Sequence, residues 1–375
     1  MTNPPVRIPV CEPYLGGNER KYVLDCLDTN WIGSQGKYIE AFEKAWAEYC
    51  GVKYGVATTS GTTALHLALA TLGVGKGDEV IVPTFTMAAS ALAVVYTGAR
   101  PVFVDCEPDT FNIDPRLIGS AVTKRTKVIM PVHLYGHMCD MDAVWKESQG
   151  AHIVEDAAEA HGAKQSDTAS FTGVAGGDSD IGCFSFYSNK ILSIGEGGMI
   201  VTTNKELHTR ALSLRDLAHS PDKRFVHTEV GYNYRMTNIQ AAIGLAQLEK
   251  IDEYIQRRRD HAQQYTERLG KITGITTPVE RAGYKNVYWM YTILMENEAK
   301  RDGLMIYLGE RGIQTRTFFV PMHQQPIFKK YVKKGQTFPV ADDVSERGLY
   351  LPSGTGLTES QIDEVCGVVE RFMTQ

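Results

Sequence analysis

The sequence predicts an α/β protein, with a large domain over residues 1–250 built on a mostly parallel seven-stranded sheet and a smaller C-terminal α/β domain over residues 251–375. Three observations lead there. From Tyr54 to Asn204, short β-branched runs alternate with helical or turn-rich stretches, the pattern of βαβ units. Several of these runs are nearly all apolar, as strands covered on both faces must be. Further on, the apolar-periodic segment Asn238 to Leu248 runs into the polar, Arg-rich stretch Glu249 to Leu269, which reads as a long helix leaving the core.

In chain order the strands fall at Tyr54 to Thr58, Glu79 to Pro83, Arg100 to Asp105, Thr126 to Val132, His152 to Glu155, Ile181 to Phe186 and Met199 to Thr202. Between the first two, Thr62 to Leu72 is dense in Ala and Leu and is followed by Gly73, Gly75 and Gly77, so it reads as a helix with its stop signal. The polar, Gly-rich stretch Gln165 to Asp180 reads as a mobile loop. Beyond the long helix, Tyr288 to Met295 is strand-like, Arg301 to Arg311 helix-like, and Glu359 to Met373 forms a last helix.

Composition narrows the function classes. Apolar residues make up 43% and charged residues 22% of the 375, ordinary globular usage that excludes a disordered or collagen-like chain. The 39 basic and 44 acidic side chains leave a formal charge of −5 with no long like-charge run, so nucleic acid is not an expected partner. Seven scattered cysteines without a CxxC pair read as reduced, mostly core thiols. Met1 to Val10 has no apolar signal-peptide core, and no run of about eighteen apolar residues occurs. A cytoplasmic protein without a membrane partner is expected.

Three segments carry chemistry. Ser60-Gly61-Thr62-Thr63 stands between a strand and a helix, where backbone N–H groups, hydroxyls and a glycine make a phosphate site; a simple N-cap is the other reading. Neither GxGxxG after the first strand nor GxxxxGK[ST] is present, which weakens dinucleotide and P-loop readings. Glu155 to Gly162 (EDAAEAHG) places acidic groups at the carboxyl end of a central strand, where open α/β sheets keep their ligands. His161 with Asp156 and Glu159 is too loose a set for a metal, and none is expected.

The third segment runs from Phe184 to Lys190 (FSFYSNK) and on through Gly195 to Met199 (GEGGM). A lysine just after an apolar strand is suited to amine chemistry once it loses its proton, although a snorkelling side chain is the alternative. Together the segments supply what pyridoxal 5′-phosphate needs: a phosphate anchor, a carboxylate opposite the pyridine nitrogen, and a lysine for the Schiff base. Phe85, just after a strand, offers a ring to stack on the pyridine face; as a lone aromatic it reads as core.

With these residues in place, the sequence resembles the DegT-type nucleotide-sugar aminotransferases, a family of fold-type-I (aspartate-aminotransferase-like) pyridoxal-phosphate enzymes. The likeness covers nearly the whole chain, through GSQGKYIEAF, SGTTAL, GDEVIVPTFT, GARPVFVD, VIMPVHLYG, VEDAAEAHGA, FSFYSNK with GEGGM, and GYNYRMTNIQAAIGLAQLEKID. FYSNK, the GYNYRMTN block and RTFFVPMHQQPIF resemble the branch that aminates GDP-linked 4-keto deoxysugars for surface polysaccharide. The resemblance implies Lys190 as the Schiff-base lysine and Asp156 as the carboxylate on the pyridinium nitrogen. It implies Glu159, a Gln in many members, near the cofactor's 3-hydroxyl, and Ser60, Gly61, Thr62 and Ser185 at its phosphate. It also implies Phe85 as the stacking ring, and Asn233 as a phosphate ligand given by the neighbouring subunit of an obligate homodimer.

L-Glutamate is the implied amino donor and a keto sugar the acceptor. Arg224, Arg316 and Lys329 are candidates for the sugar's diphosphate by position, and His323 for the sugar, with surface or buried structural roles as the alternatives. Tyr232 and Tyr234 either line the entrance or pack in the core. A dehydratase branch of the family replaces the lysine by histidine; here Lys190 is present, which favours transamination. Other keto sugars, a dehydratase, and a cofactor-binding sensor are the competing functions.

Overall fold

The computed structural model describes residues 5–166, 172–223 and 225–375. Thirteen strands occur among them: β1 Tyr54–Thr58, β2 Glu79–Pro83, β3 Arg100–Val104, β4 Thr126–Ile129, β5 His152–Asp156, β6 Lys164–Gln165, β7 Ile181–Ser185, β8 Gly198–Thr202, β9 Ile275–Thr276, β10 Tyr284–Lys285, β11 Tyr291–Met295, β12 Arg316–Thr317 and β13 Gly348–Leu351. The large sheet has seven strands in the order β1-β8-β7-β5-β4-β2-β3. Strand β8 alone runs antiparallel to its neighbours β1 and β7, and every other pair is parallel. The expected strands are all present. The expected Thr126 to Val132 strand stops at Ile129, because Pro131 lacks the N–H that a central ladder requires.

The first helix after β1, Gly61–Thr71, begins in a reciprocal capping box: Thr63 N–H donates to Ser60 Oγ and Ser60 N–H to Thr63 Oγ1. Its interior, from Ala64 to Leu69, is buried against the sheet. The apolar segment Asn238 to Leu248 and the polar stretch Glu249 to Leu269 are two helices, Asn238–Leu248 and Ile251–Leu269, separated at Lys250 with φ −118° and ψ 3°. The second of these starts against the main core through Ile251, Tyr254 and Ile255, and ends in a smaller core through Ala262, Tyr265 and Leu269. That smaller core is shared with a four-stranded antiparallel sheet, β12-β13-β11-β9, and with the helices Glu298–Gly309 and Glu359–Met373. The chain start joins it too, since Ile8 pairs with Ile313.

Residues 167–171 of the stretch expected to be mobile lie outside the described residues. The remainder of that stretch is tied to the core: the N–H groups of Gly176 and Asp178 both donate to the buried Glu155 carboxylate. The expectation of a mobile loop is therefore corrected for residues 173–178, each of whose backbone N–H groups has an acceptor inside the protein. All seven cysteines are free thiols and only Cys11 is not fully buried. Among the described residues no helix is long and apolar enough to cross a membrane.

Candidate active site

A cavity of about 780 Å³ opens at the carboxyl ends of β1, β5 and β7 and is closed on the far side by β12 and β13. Strand ends gather ligand groups in open sheets because the loops there are free of ladder hydrogen bonds. Ser60, Gly61, Thr62, Asp156, Glu159, Ser185 and Lys190 all line this one cavity, although they come from three segments spread over more than a hundred residues.

The helix start forms one wall. The capping box consumes the N–H of Thr63 and leaves those of Gly61 and Thr62 without an acceptor among the described residues. Such donors at the positive end of a helix favour an anion. Gly61 faces Ser185 so closely that an added Cβ would sit 2.6 Å from the serine Cβ, so only glycine leaves room there.

Asp156 ends β5 and is buried. Ser90 Oγ donates to its Oδ2 at 2.7 Å and Ala158 N–H to its Oδ1 at 3.2 Å. Burial pushes its carboxyl above the usual range, and the bond from Ser90 opposes that shift. Glu159 lies one turn further on and accepts from Tyr135 N–H at 3.0 Å. Burial raises it to about 7, against the pull of Lys190.

Lys190 follows β7 in a turn closed by its own N–H to Tyr187 O at 2.8 Å. Its side chain is 10% exposed, with Nζ 3.7 Å from Glu159 Oε1 and 3.7 Å from the centre of the Trp289 ring. Burial lowers its pKa and the two carboxylates oppose the shift. Next to it, His161 packs among Trp46, Phe184 and Phe186, and burial lowers it to about 3, so it stays neutral. It takes no part in the expected acidic cluster.

The donor set fits pyridoxal phosphate. Free helix-start N–H groups and the Ser185 hydroxyl meet around a space that a Cβ would fill, and a buried carboxylate and an amine of lowered pKa line the same cavity. The cavity also exceeds what such a cofactor alone requires.

Other expected residues are placed differently. Phe85 is fully buried among Phe111, Tyr135, Phe318 and Phe319 and does not reach the cavity. The side chain that does is Met87, 52% exposed on the cavity wall, because the chain turns away after Pro83 before entering the helix Ala88–Tyr96. His323 is a structural histidine: Nδ1 bonds Thr84 Oγ1 at 2.8 Å, Nε2 lies 2.9 Å from Asp342, and the ring stacks on Phe338. Lys329 stands in a short 3-10 turn away from the cavity wall. Arg316, by contrast, lines the cavity from β12. Arg224 lies outside the described residues. Asn233 is exposed and does not line its own chain's cavity. Tyr232 and Tyr234 stack on one another beside His66, whose Nδ1 is 3.0 Å from the Tyr234 hydroxyl; they do not line the cavity.

Trp289, Phe319 and Tyr350 complete the wall and were not among the expected residues. No local spacing marks them, since each reaches the site only through the packing of the smaller sheet against the larger.

Known proteins agree with this geometry. Residues 13–370 match the DegT/DnrJ/EryC1/StrS aminotransferase family. The chain is 44% identical over 373 residues to a GDP-perosamine synthase of Caulobacter vibrioides, covering 98% of both chains. It is 42% identical to a GDP-perosamine synthase of Escherichia coli O157:H7, covering 97% of this chain and 98% of the other. The solved structure of S. venezuelae DesV in complex with a ketimine intermediate superposes with a TM-score of 0.89 at 37% identity, over 96% of this chain and 95% of that one. With a cavity that fits pyridoxal phosphate and a family match over almost its full length, the chain belongs to the DegT/DnrJ/EryC1/StrS aminotransferase family and is a pyridoxal-phosphate-dependent aminotransferase.

Proposed function

We propose that the protein moves an amino group from L-glutamate to the 4-keto group of a GDP-linked deoxysugar, giving a product of the GDP-perosamine type for surface polysaccharide. The observation that carries this reading is the likeness to GDP-perosamine synthases at 40–44% identity over nearly the whole chain, joined to a cavity that Lys190 lines.

In this reading the helix-start N–H groups of Gly61 and Thr62, the cap residue Ser60 and the Ser185 hydroxyl hold the cofactor's phosphate, with Asn233 supplied by the second subunit of a homodimer. Asp156 keeps a proton on the pyridine nitrogen, and Ser90 fixes the carboxylate for that task. The bound cofactor supplies an electron sink, so that a proton can leave the substrate carbon next to nitrogen. Lys190 Nζ would take up that proton and give it back. Its lowered pKa suits the task, because a base works only in its unprotonated form. Glu159, raised to about 7, holds or releases a proton beside the same amine. Trp289, Phe319 and Tyr350 cover the chamber and exclude water. Arg316 meets the diphosphate.

The test is a titration of the cofactor-loaded protein with glutamate, followed by a panel of nucleotide-linked keto sugars. Glutamate should convert the cofactor's long-wavelength absorbance to that of its aminated form, and the GDP-linked 4-keto sugar should restore it. Restoration only by a dTDP- or UDP-linked sugar would move the substrate elsewhere, and release of ammonia without an amino sugar would mean a dehydratase.

A further inference from the structure

We propose that Trp289 is a positioning residue whose indole face is the resting platform of the Lys190 amine during the half of the cycle in which that amine is free. This rests on the reading of Lys190 as the amine that serves the cofactor.

In a two-stage amino transfer the lysine is released while the cofactor carries the amino group, and it must return to the same place. A four-carbon stem has many rotamers, so a free amine in a large chamber needs a partner. Glu159 is one, 3.7 Å away, but with its carboxyl at about 7 it holds the ammonium less firmly as pH falls. The indole face attracts a cation at any pH, and Nζ lies 3.7 Å from its centre. The ring is itself fixed: Nε1–H donates to Asn189 O at 2.8 Å, and the Trp289 carbonyl accepts from Arg258 at 2.7 Å. Asn189 is the residue before Lys190, so the platform and the lysine are referenced to one peptide unit. Trp289 is 3% exposed, which shields this attraction from water. The other titratable groups facing the amine are Glu159, Asp156, Cys11 and His161, and none of them takes over the ring's place beneath it.

The experiment labels the cofactor-free protein with a small amine-acylating reagent across a pH series and follows the Lys190 peptide by mass spectrometry. Trp289→Leu should move the midpoint of Lys190 labelling about one pH unit lower, since a desolvated cation–π contact stabilises the ammonium by that order. Trp289→Phe, which keeps a weaker ring face, should fall between that variant and the unaltered protein. Coincident midpoints in the three proteins overturn the proposal. As a check that does not disturb packing, fluorinated tryptophans should lower the midpoint stepwise with each added fluorine, and an unchanged midpoint in correctly folded protein would again overturn it. Labelling does not depend on turnover. Full activity in Lys190→Ala would therefore defeat the role of the lysine separately, whatever the labelling shows.

Discussion

Lys190 Nζ and Glu159 Oε1 lie 3.7 Å apart in the cavity, with side chains only 10% and 4% exposed. Burial drives the two groups toward each other: it lowers the amine and raises the carboxyl to about 7. In the cofactor-free protein, infrared spectroscopy should therefore find one carboxyl that titrates near pH 7. Glu159→Gln should abolish that transition; a wild-type protein whose carboxyls all titrate below about 5 would contradict the assignment.

Lys190→Ala should cost at least about a thousandfold in turnover, the scale of a lost acid–base group, while the fold and thermal midpoint stay near the parent's. Asn233 is exposed outside its own cavity, so a shared site predicts complementation. Mixing inactive Lys190→Ala with inactive Asn233→Ala subunits should restore roughly a quarter of the parent activity, as random pairing leaves one sound site in half of the dimers. Lack of recovery after subunit exchange has been verified would show that each chain builds its site alone.

Gly61→Ala should weaken pyridoxal phosphate binding by about tenfold or more, through the clash at Ser185 and the displaced helix start. Equilibrium dialysis with the cofactor and with inorganic phosphate as competitor separates this from a general loss of structure. Unchanged affinity would remove the helix start from the cofactor site.

Arg316 lines the cavity while Lys329 and His323 do not. Arg316→Ala should raise KM for the nucleotide sugar by about tenfold or more and leave the glutamate half-reaction unaltered, as expected for a lost bond to a charged diphosphate. Lys329→Ala should leave both half-reactions intact. Steady-state kinetics with each substrate varied in turn decides between them.

Asp178 is buried beside Glu155, and burial together with that neighbouring charge raises it to about 6. A carboxyl with a raised native pKa binds its proton more tightly when folded, so its contribution is present below about pH 4 and is lost as pH rises through 6. Asp178→Asn should flatten that part of the stability profile in denaturant melts between pH 4 and 7. A variant profile parallel to the parent's would place the titration elsewhere.

Much of the fold and of the reacting group was legible because strand ends advertise themselves. Asp156 ends the strand β5 and Lys190 stands in the turn after β7, and parallel strands buried on both faces leave few alternatives for where an apolar run ends. Phe85 and Met87 show where this stops. Within the turn after Pro83, residue type suggested the aromatic ring, but only the backbone path decides which side chain faces the cavity, and it gives that place to the thioether. For His323 the sequence left a sugar contact and a buried hydrogen bond open, and Thr84 and Asp342, one at each ring nitrogen, favour the second. Trp289 and Tyr350 were invisible to any local pattern, since long-range packing of the smaller sheet brings them in. The change from the apolar segment Asn238 to Leu248 to the polar, Arg-rich stretch after it was legible, and the non-helical Lys250 separates the two helices there.

The antiparallel strand β8 has a consequence for how the chain matures on the ribosome. Among the strands of the large sheet β1 pairs only with β8, in the register Tyr54 with Thr202 through Thr58 with Gly198, and its Thr58 also bridges to the later Arg235. Its hydrogen-bonding edge therefore stays without a native partner until residues 198–202 have been synthesised and have left the exit tunnel. Nascent chains halted before that point should engage holdase chaperones, and those released just after it should shed them, because β8 pairs with both β1 and β7 and so completes the sheet.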